Sequence, residues 1–448
     1  MPPLRRARPH LLAVTPYTGG RGRNSRDNDN ADLTALPYDV LFEILPRVFS
    51  DADDVARFAS TCPRWCSFVA THATTVSRLL PQPARLPTRF LPSLALGCFH
   101  QENDVARCAW GRRRLAASSS PQPRFFPAAA AASASRTFFL GPLADGGDPM
   151  FDYAQPVASR NGRVVFELRR NARSDGLTLV VSNPMTGYTA VLPSLSGVDC
   201  PGYYACTILT DDDLDTPASR STTDHHLFFR LLIIYNRPGF TAMRCYSSDA
   251  GSWGPERRKP GRKIRDHRLR RLGHAVVVGG VAYWPFHWEA FGVRLSDSSM
   301  EVCSVPYTYA GYWPDLRILG VSPDGRELRY INAGFCSPAS LVLSSLKTQF
   351  DNDGDMHDVH VEVPDLIRTT TTTPIKLRWF GEKSGTVIFT IGEAGGGVFA
   401  VNMAEGTVNK LAEGTTAEKL ADGGGYNACR NIYGYEMDRA ALFASLAD

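Results

Sequence analysis

Residues 386–411 read TVIFTIGEAGGGVFAVNMAEGTVNKL, and the pattern of this stretch decides the fold. Two apolar runs, TVIFTI and GVFAVNM, flank a glycine-rich turn, and a second small-residue turn, AEG, leads into another run. Short apolar runs of this length, bounded by Gly and acidic residues, are typical of β-strands joined by tight turns. The segment therefore predicts consecutive strands, with its glycines as hairpin residues rather than as a phosphate-binding loop.

The same order of strand, turn and strand recurs elsewhere in the chain. It appears in VVFELRR…LTLVVSNPMTGYTAVLP (164–193) and in HAVVVGGVAYWP…AFGVRLSDSSMEVCSVP (274–306), where HAVVVGGVAYW is one strand-like run. A repeat of about 45 residues with four strands is typical of a propeller blade. Two packed β-sandwiches are an alternative, but roughly 350 residues of meandering strands fit a closed propeller more easily. The sequence predicts a mainly β protein with five to seven blades over residues 93–448.

The chain begins differently, with a helical pattern. In LTALPYDVLFEILPRV (33–48) the apolar residues recur at helical spacing, and Pro46 is expected to end or kink this helix, so that Val48 would leave it. A second helix follows Ser50 or Asp51 as its N-cap, and Pro63 opens a third. These observations predict a small all-α domain of three short helices at residues 32–80, small enough to be stabilised by a partner.

Composition sets limits on the rest. Residues 1–31 predict a disordered basic tail, and 81–92 a Pro-rich connector. The longest apolar run has nine residues and contains Arg230, so no membrane segment is predicted. Ten scattered cysteines favour a reducing compartment, the cytoplasm or the nucleus. The net charge is +4, and the excess of basic residues lies in the tail and in 257–271. This distribution argues against a nucleic-acid surface spread across a domain.

The N-terminal residues resemble a known family. LTALPYDVLFEILPRV followed by ARFASTCPRWCSFVA (56–70) is similar to an F-box, whose pattern is an L-P-x-D-x-L-x-E-I-L helix and then a helix pair with C-x-x-W. The β-rich remainder resembles the propeller-like domains associated with large plant F-box families. That similarity includes the turn NPMTG (183–187) and the segment YSSDAGSW (246–253).

The resemblance implies a substrate-recognition subunit of a ubiquitin ligase. The F-box would dock on the Skp-family adaptor, and through it on a cullin, while the propeller binds an unidentified protein substrate. It implies a chain without catalytic residues, cofactor or metal. The adaptor-binding residues that it implies are Leu36, Pro37, Val40, Leu41, Ile44, Leu45, Val48, Val55, Phe58, Cys62 and Trp65.

Several alternatives stay open. The helical stripe could be only the core of its own unit, or could pack on the propeller. The chain could be a propeller enzyme of the glycan hydrolase type, or a propeller interaction protein whose degenerate F-box does not assemble. YSSDAGSW is similar to the Asp-box of propeller glycosidases but is one residue short and occurs once, so a turn with a packed Trp253 is the preferred interpretation.

Three further segments have a chemical interpretation. DNDGDMHDVHVE (351–362) has the acidic spacing of a calcium loop, but it has Met356 where that loop needs Gly, and its end is predicted to be a strand. RRKPGRKIRDHRLRR (257–271) could be a nuclear-import signal, a dock for an acidic partner or an exposed inter-strand loop. Cys62 and Cys66 are predicted not to form a metal or redox site, and Cys62 is expected to be buried on the second helix beside Trp65.

Overall fold

The structure of this 448-residue chain is a computed structural model. The chain forms two compact units. One unit is Met1–Pro81 with Leu442–Asp448, and the other is Gln82–Ala441. The predicted tail, and the connector up to residue 89, lie outside the described residues. The structure describes residues 36–49, 51–80, 90–101, 122–128, 149–152, 154–169, 176–213, 227–269, 272–286, 288–295, 300–307, 317–337, 340–347, 357–362, 375–391, 397–413 and 432–447.

The helical unit contains one helix more than the sequence predicts within its described residues. Asp51 caps the second helix by accepting a hydrogen bond from the backbone N–H of Asp54 at 3.0 Å, and Pro63 is the first residue of the third. The fourth helix has only two buried positions, Ala73 and Val76, which is too short an apolar pattern to predict. The helices are α1 (Tyr38–Val48), α2 (Ala52–Thr61), α3 (Pro63–Thr71) and α4 (Ala73–Leu79).

Pro46 does not end α1, so of the two predicted effects, an end or a kink, the structure contradicts the first. The helix continues to Val48, and the backbone N–H of Phe49 still donates to the carbonyl of Leu45 at 3.0 Å. Proline removes one hydrogen bond, the one that its own N–H would make to the preceding turn. Because Pro46 lies in the last turn of α1, little helix remains after it to be disrupted.

The second unit is built from β-strands, as predicted. In chain order the strands are β1 (Ala95–His100), β2 (Arg124–Pro127), β3 (Gln155–Arg160), β4 (Arg163–Glu167), β5 (Leu179–Asn183), β6 (Tyr188–Val191), β7 (Tyr204–Leu209), β8 (Arg230–Asn236), β9 (Thr241–Ser247), β10 (Ser252–Trp253), β11 (Arg257–Arg258), β12 (Val276–Val278), β13 (Val281–Pro285), β14 (Glu289–Leu295), β15 (Met300–Pro306), β16 (Arg317–Val321), β17 (Leu328–Ser337), β18 (Ser340–Lys347), β19 (His357–Glu362), β20 (Ile375–Phe380), β21 (Thr386–Ile391), β22 (Gly397–Asn402), β23 (Val408–Glu413) and β24 (Ile432–Glu436). Two further short α-helices are α5 (Asp266–Leu269), which lies between β11 and β12, and α6 (Arg439–Ala444), which follows β24.

The strands form a six-bladed propeller. In the described residues, β3–β6, β7–β11, β12–β15, β16–β19 and β20–β23 are antiparallel sheets of consecutive strands, which we number blades 1 to 5. Blade 6 is different, because the last strand, β24, pairs with β1, which pairs with β2. Joining the two ends of the domain in one sheet closes the propeller and removes the free edges of an open arrangement. The β-sandwich alternative is therefore excluded.

The core of the propeller lies between neighbouring blades. Each neighbouring pair shares buried apolar side chains, and burying one such side chain stabilises the fold by roughly 1.5–3 kcal/mol. Representative members are Val165 and Leu231 for blades 1 and 2, Leu232 and Trp284 for blades 2 and 3, Val276 and Leu319 for blades 3 and 4, Ile331 and Phe389 for blades 4 and 5, Trp379 and Cys98 for blades 5 and 6, and Phe99 and Phe166 for blades 6 and 1.

One strand of each blade lines the propeller axis. In blades 1 to 5 it is the first strand of the blade, and in blade 6 it is β24. β24 contacts β3 and β20, β3 also contacts β7, and β16 contacts β12 and β20. The turns after these strands therefore gather at one end of the axis. One of these turns corrects the sequence prediction, since HAVVVGGVAYW (274–284) is not one strand. Gly279 and Gly280 have φ of 55° and 73°, and they join β12 to β13 as a hairpin that residues other than Gly rarely allow.

Two other predictions concern segments of this domain. The acidic positions 351–356 of the proposed calcium loop lie outside the described residues, and the following residues form β19, as the sequence predicts for the end of that loop. In the part of the chain that the structure describes, no helix has the length and apolar character needed to cross a membrane.

Candidate functional site

The apolar stripe of α1 is divided between the inside and the outside of the helical unit. Leu41 and Leu45 are buried, at 3% and 1% exposure, whereas Ile44 and Val48 are 36% and 63% exposed. Successive residues of an α-helix are rotated by about 100°, so positions four apart lie almost above one another. Val40, which is half-buried, therefore continues the line of Ile44 and Val48, and we call these three residues the α1 row.

The residues around the α1 row have less uniform environments. Leu36 is half-buried, and its carbonyl accepts a hydrogen bond from Arg64 at 2.8 Å, while Pro37 is exposed at the N-cap of α1. Tyr38, which the sequence analysis did not select, is 43% exposed, and its ring lies 4.9 Å from that of Phe68. Tyr38 therefore packs against α3 and is not part of the α1 row.

The remaining predicted adaptor-binding residues contact one another. Val55 is buried in the helical unit. The rings of Phe58 and Trp65 are stacked with centroids 4.2 Å apart, and Phe49 lies 5.1 Å from Phe58. Both Phe58 and Trp65 are half-buried, and among the described residues the Trp65 indole N–H has no hydrogen-bond partner. This stacked pair is therefore only partly covered by the helical unit.

Cys62 and Cys66 have separate structural roles. The sequence predicts that Cys62 is buried on α2. In the structure it is instead half-buried and lies between α2 and α3. Its Sγ accepts a hydrogen bond from the backbone N–H of Trp65 at 3.4 Å and so caps α3. Cys66 Sγ donates to the carbonyl of Leu446 at 3.1 Å, and burial raises the pKa of its thiol.

The contact with Leu446 identifies a part of the helical unit that the sequence analysis assigns to the β domain. The 3-10 helix Ser445–Ala447 packs against α3, and Phe443 next to it is fully buried. The periodicity of MDRAALFASLA (437–447) predicts a helix here, and α6 is that helix. No local pattern in the sequence predicts that this segment completes the helical unit, because Leu446 lies 380 positions after Cys66.

A second candidate site is a charged cluster at the axial end of the propeller. Arg160, the last residue of β3, is 6% exposed. Its Nε donates to Glu382 at 2.9 Å, and its Nη2 donates to Asp213 at 2.7 Å and to Glu382 at 2.9 Å. The third nitrogen, Nη1, bonds Asp213 and the carbonyl of Ile208. Arg160 thus joins residues from blades 1, 2 and 5.

Electrostatics keep this cluster charged. Burial by itself would lower the pKa of Arg160, but Asp213 and Glu382 outweigh it and raise that pKa. Burial would raise the pKa of Asp213, and the guanidinium together with N–H and O–H donors from Thr210 lowers it. Nearby, burial lowers the pKa of His274 to about 3, and its Nε2–H donates to the carbonyl of Phe380 at 3.1 Å. His274 is therefore neutral at pH 7.

A cavity of about 300 Å³ adjoins the Arg160 cluster. Its lining includes Asn161, Asp212, Gly279, Gly325 and Lys383, all from the axial turns. All of the nitrogens of Arg160 already donate to protein groups, so this side chain fixes the turns rather than offering a free fork to an anion. Among the described residues no group of three or more His, Cys, Asp and Glu side chains could hold a metal ion.

YSSDAGSW forms a turn, as preferred in the sequence analysis. It connects β9 to β10, and Gly251 has a φ of 60°. The Trp253 ring lies edge-on to Tyr246 at 5.6 Å, and its Nε1–H donates to the carbonyl of Pro193 at 2.7 Å. Trp253 therefore links blade 2 to the segment that follows blade 1.

Comparisons with known proteins found only solved structures of low similarity. No protein-family model matches the sequence, and no curated protein is similar to it. A functionally unknown protein from Desulfotomaculum acetoxidans is 12% identical, with a TM-score of 0.30 over 58% of this chain and 68% of that chain. A proposed 6-phosphogluconolactonase from Bacteroides uniformis is 9% identical, with a TM-score of 0.32 over 76% of this chain and 99% of that chain. A puromycin hydrolase is 11% identical, with a TM-score of 0.25 over 59% of this chain and 47% of that chain.

These similarities correct one prediction. The F-box resemblance implies a chain without catalytic function, and that prediction is wrong as stated, because the similar structures include the proposed lactonase and the puromycin hydrolase. One fold can carry unrelated functions. Similarity at this level therefore assigns neither of those activities to this chain.

Proposed function

We propose that this protein is the substrate-recognition subunit of a cullin-based ubiquitin ligase. In this proposal the helical unit docks on the Skp-family adaptor, and the propeller binds a protein that is to be ubiquitinated. The observation that carries the proposal is the α1 row, an exposed apolar line on a helix whose sequence resembles the first helix of an F-box.

The division of α1 supports a docking role. The helical unit has its own core, to which Leu41, Leu45 and Val55 contribute. The α1 row is therefore additional apolar surface that this core leaves in water. Exposed apolar patches on small units are typical of protein interfaces, and an amphipathic helix commonly binds by placing such a row in an apolar groove of its partner.

The proposed interface is narrower than the eleven residues that the resemblance implies. We assign direct adaptor contact to Ile44, Val48 and the exposed edge of Val40, with Pro37 at one end. The stacked pair Phe58 and Trp65 would contribute its solvent-exposed side. The buried residues Leu41, Leu45 and Val55 hold the helices in place and act only indirectly, as does Cys62 through its cap on α3.

The role of the propeller follows from connectivity. Both units belong to one chain, so a protein bound to the propeller is held at the ligase whenever the helical unit is docked. Holding two reactants together raises their effective concentration by orders of magnitude, and this proximity is the contribution proposed for the receptor. Blade turns at the axial end, around Arg160, are one surface available for substrate binding.

Adaptor retention tests the proposal. The full chain is captured with purified Skp-family adaptor, and the wild type is compared with the variant Ile44→Asp plus Val48→Asp. Each substitution places a carboxylate in the proposed apolar interface, so we expect at least about a hundredfold weaker binding, since each buried unpaired charge costs several kcal/mol. The matched control is Thr74→Asp plus Thr75→Asp, which adds the same charge at exposed positions of α4.

The outcomes separate the alternatives. Retention of the wild type and the α4 variant, with loss of the α1 variant and an unchanged thermal midpoint, supports the proposal. Absence of wild-type binding would mean that the F-box does not assemble. Equal retention of all three proteins would show that the α1 row is not the interface.

A further inference from the structure

Residues 259–268 of the basic segment form one wall of a cavity that the proposed function does not use. The cavity has a volume of about 360 Å³. Its other wall comes from blade 3 and includes Phe286, Phe291 and the carboxylate of Glu289. Five cationic side chains line it, namely Lys259, Arg262, Lys263, Arg265 and Arg268.

The segment is built into the fold over its described part, 257–269, and is not a free inter-strand loop. β11 pairs with β9, and Ile264 and Leu269 are buried in the core between blades 2 and 3. The amide of Asn236 donates to the carbonyl of Ile264 at 2.7 Å, and Thr241 Oγ1 accepts from the Ile264 N–H at 2.8 Å. These contacts fix the backbone that carries the five cations, so the cations are positioned at one place.

The five cationic side chains form no ion pair among the described residues. Of these residues, Glu289 is the one acid that lines the cavity. Arg268 lies over the ring of Phe286 at 5.5 Å, and the Lys259 ammonium lies 5.8 Å from the ring centre of Phe291. Lys259 and Lys263 donate to backbone carbonyls, at 2.9 Å to Pro260 and 3.3 Å to Pro238. Like charges held together repel, and a bound polyanion would relieve this repulsion.

Lys259 is the most clearly desolvated cation whose pKa is shifted in this cavity. Removal of water from around its ammonium lowers the pKa of Lys259, and Glu289 opposes this only in part. A charge that has lost part of its hydration gains more from an anionic ligand than a fully solvated charge does.

We propose that this cavity binds a small anion that carries two or more phosphate groups. Three of the five cations are arginines, whose planar forks match phosphate oxygens in bidentate fashion, and lysines add point charges. A single phosphate cannot contact five cations, whereas two or three linked phosphates can. The volume is within the range of pockets that hold small molecules. This site does not depend on the proposed docking of the helical unit.

Calorimetric titration of the full chain tests the proposal, with inorganic phosphate, pyrophosphate and tripolyphosphate as probes in 0.15 M salt. We expect one saturable site, with tripolyphosphate binding at least about tenfold more tightly than inorganic phosphate. Arg262→Gln plus Arg265→Gln should weaken tripolyphosphate about tenfold or more. The control pair Arg257→Gln plus Arg258→Gln removes the same charge from the same segment but outside the cavity lining, and should change the affinity less than about twofold.

Three results would overturn the proposal. These are absence of saturable binding to the wild type, equal affinity for inorganic phosphate and tripolyphosphate, and equal weakening by the two variant pairs, which would indicate only general charge attraction. A second experiment, limited tryptic cleavage, uses only the wild type, so its outcome does not depend on whether a variant folds. Tripolyphosphate should slow tryptic cleavage after Arg262 and Arg265 but not after Arg257, and unchanged cleavage at all three positions would contradict the site.

Discussion

Arg160 and Glu382 are paired at the axial end of the propeller, with 2.9 Å between Nε and Oε1. Arg160 ends β3 in blade 1, while Glu382 lies in the turn after β20 in blade 5, so blade 6 stands between the two blades. The same guanidinium also holds Asp213 after β7 of blade 2. One buried cation therefore ties together the turns of three blades, including those on either side of the closing blade.

Removing this cation should destabilise the propeller. Arg160→Met keeps the aliphatic stem but leaves the carboxylates of Asp213 and Glu382, each 9% exposed, without their partner. Breaking a buried ion pair in this way costs about 3–5 kcal/mol. Urea denaturation followed by tryptophan fluorescence measures the loss.

The control for Arg160 is Lys383→Met, which removes one positive charge from the same cavity. Lys383 is 38% exposed, and its Nζ lies 4.0 Å from the exposed Asp212. An exposed pair contributes less than about 1 kcal/mol. Equal losses for the two variants would contradict the bridging role of Arg160.

His274 should make stability fall on mild acidification. Its pKa is about 3 in the folded protein and about 6.5 in an unfolded chain, so the folded state holds it neutral. Its contribution is fully present above pH 6.5 and is lost as the pH falls from 6.5 towards 3, because the unfolded state binds one proton more. In that window the free energy of unfolding should fall by about 1.4 kcal/mol per pH unit from this group.

The variant His274→Gln keeps an N–H donor for the carbonyl of Phe380 and does not titrate. Unfolding measured from pH 7.5 to 5 should therefore have a shallower pH slope in this variant, by about one bound proton. Comparison with the wild type cancels the carboxylates, which are common to both proteins. Identical slopes would show that His274 is not the group responsible.

The C-terminal segment should protect the helical unit. Deletion of residues 442–448 removes the buried Phe443 and the carbonyl of Leu446 that Cys66 bonds. We expect thiol labelling, followed by mass spectrometry, to modify Cys66 faster in the deletion variant. Cys206 in blade 2 is the internal control, because it is 5% exposed and belongs to the propeller unit. Unchanged labelling of Cys66 would contradict a stabilising role for the segment.

The closing strand should tolerate no side chain at Gly434. This residue of β24 lies against the Trp379 indole, and a Cβ there would overlap the ring, which is 1% exposed and packed in the core between blades 5 and 6. Gly434→Val should therefore cost about 1–3 kcal/mol through overpacking. Gly334→Val in β17 is the matched control, since a Cβ at Gly334 meets no atom within 4 Å. Denaturant midpoints distinguish the two, and equal midpoints would refute the packing argument.

Local patterns account for the parts of the fold that the sequence predicts. The runs VVFELRR and TVIFTI correspond to β4 and β21, the Asp51 cap begins α2, and Pro63 begins α3. Each of these depends on neighbouring residues, through periodicity, capping or fixed proline geometry. The prediction of elements fails in two places. β12 and β13 are read as one strand because only Gly279 and Gly280 separate them, and α4 is missed because its apolar pattern is short.

By itself, the sequence determined that this protein is mainly β, with a repeated four-strand order after an N-terminal helical pattern, because these properties are written in residues a few positions apart. Only the tertiary structure decided that β24 closes the propeller with β1, that Arg160 meets Glu382 across 222 positions, and that the basic segment faces blade 3. It also decided which half of the α1 stripe is buried. Such pairings depend on how distant segments pack in one core. Periodicity predicts which face of a helix or strand is apolar, but it does not predict which segment covers that face.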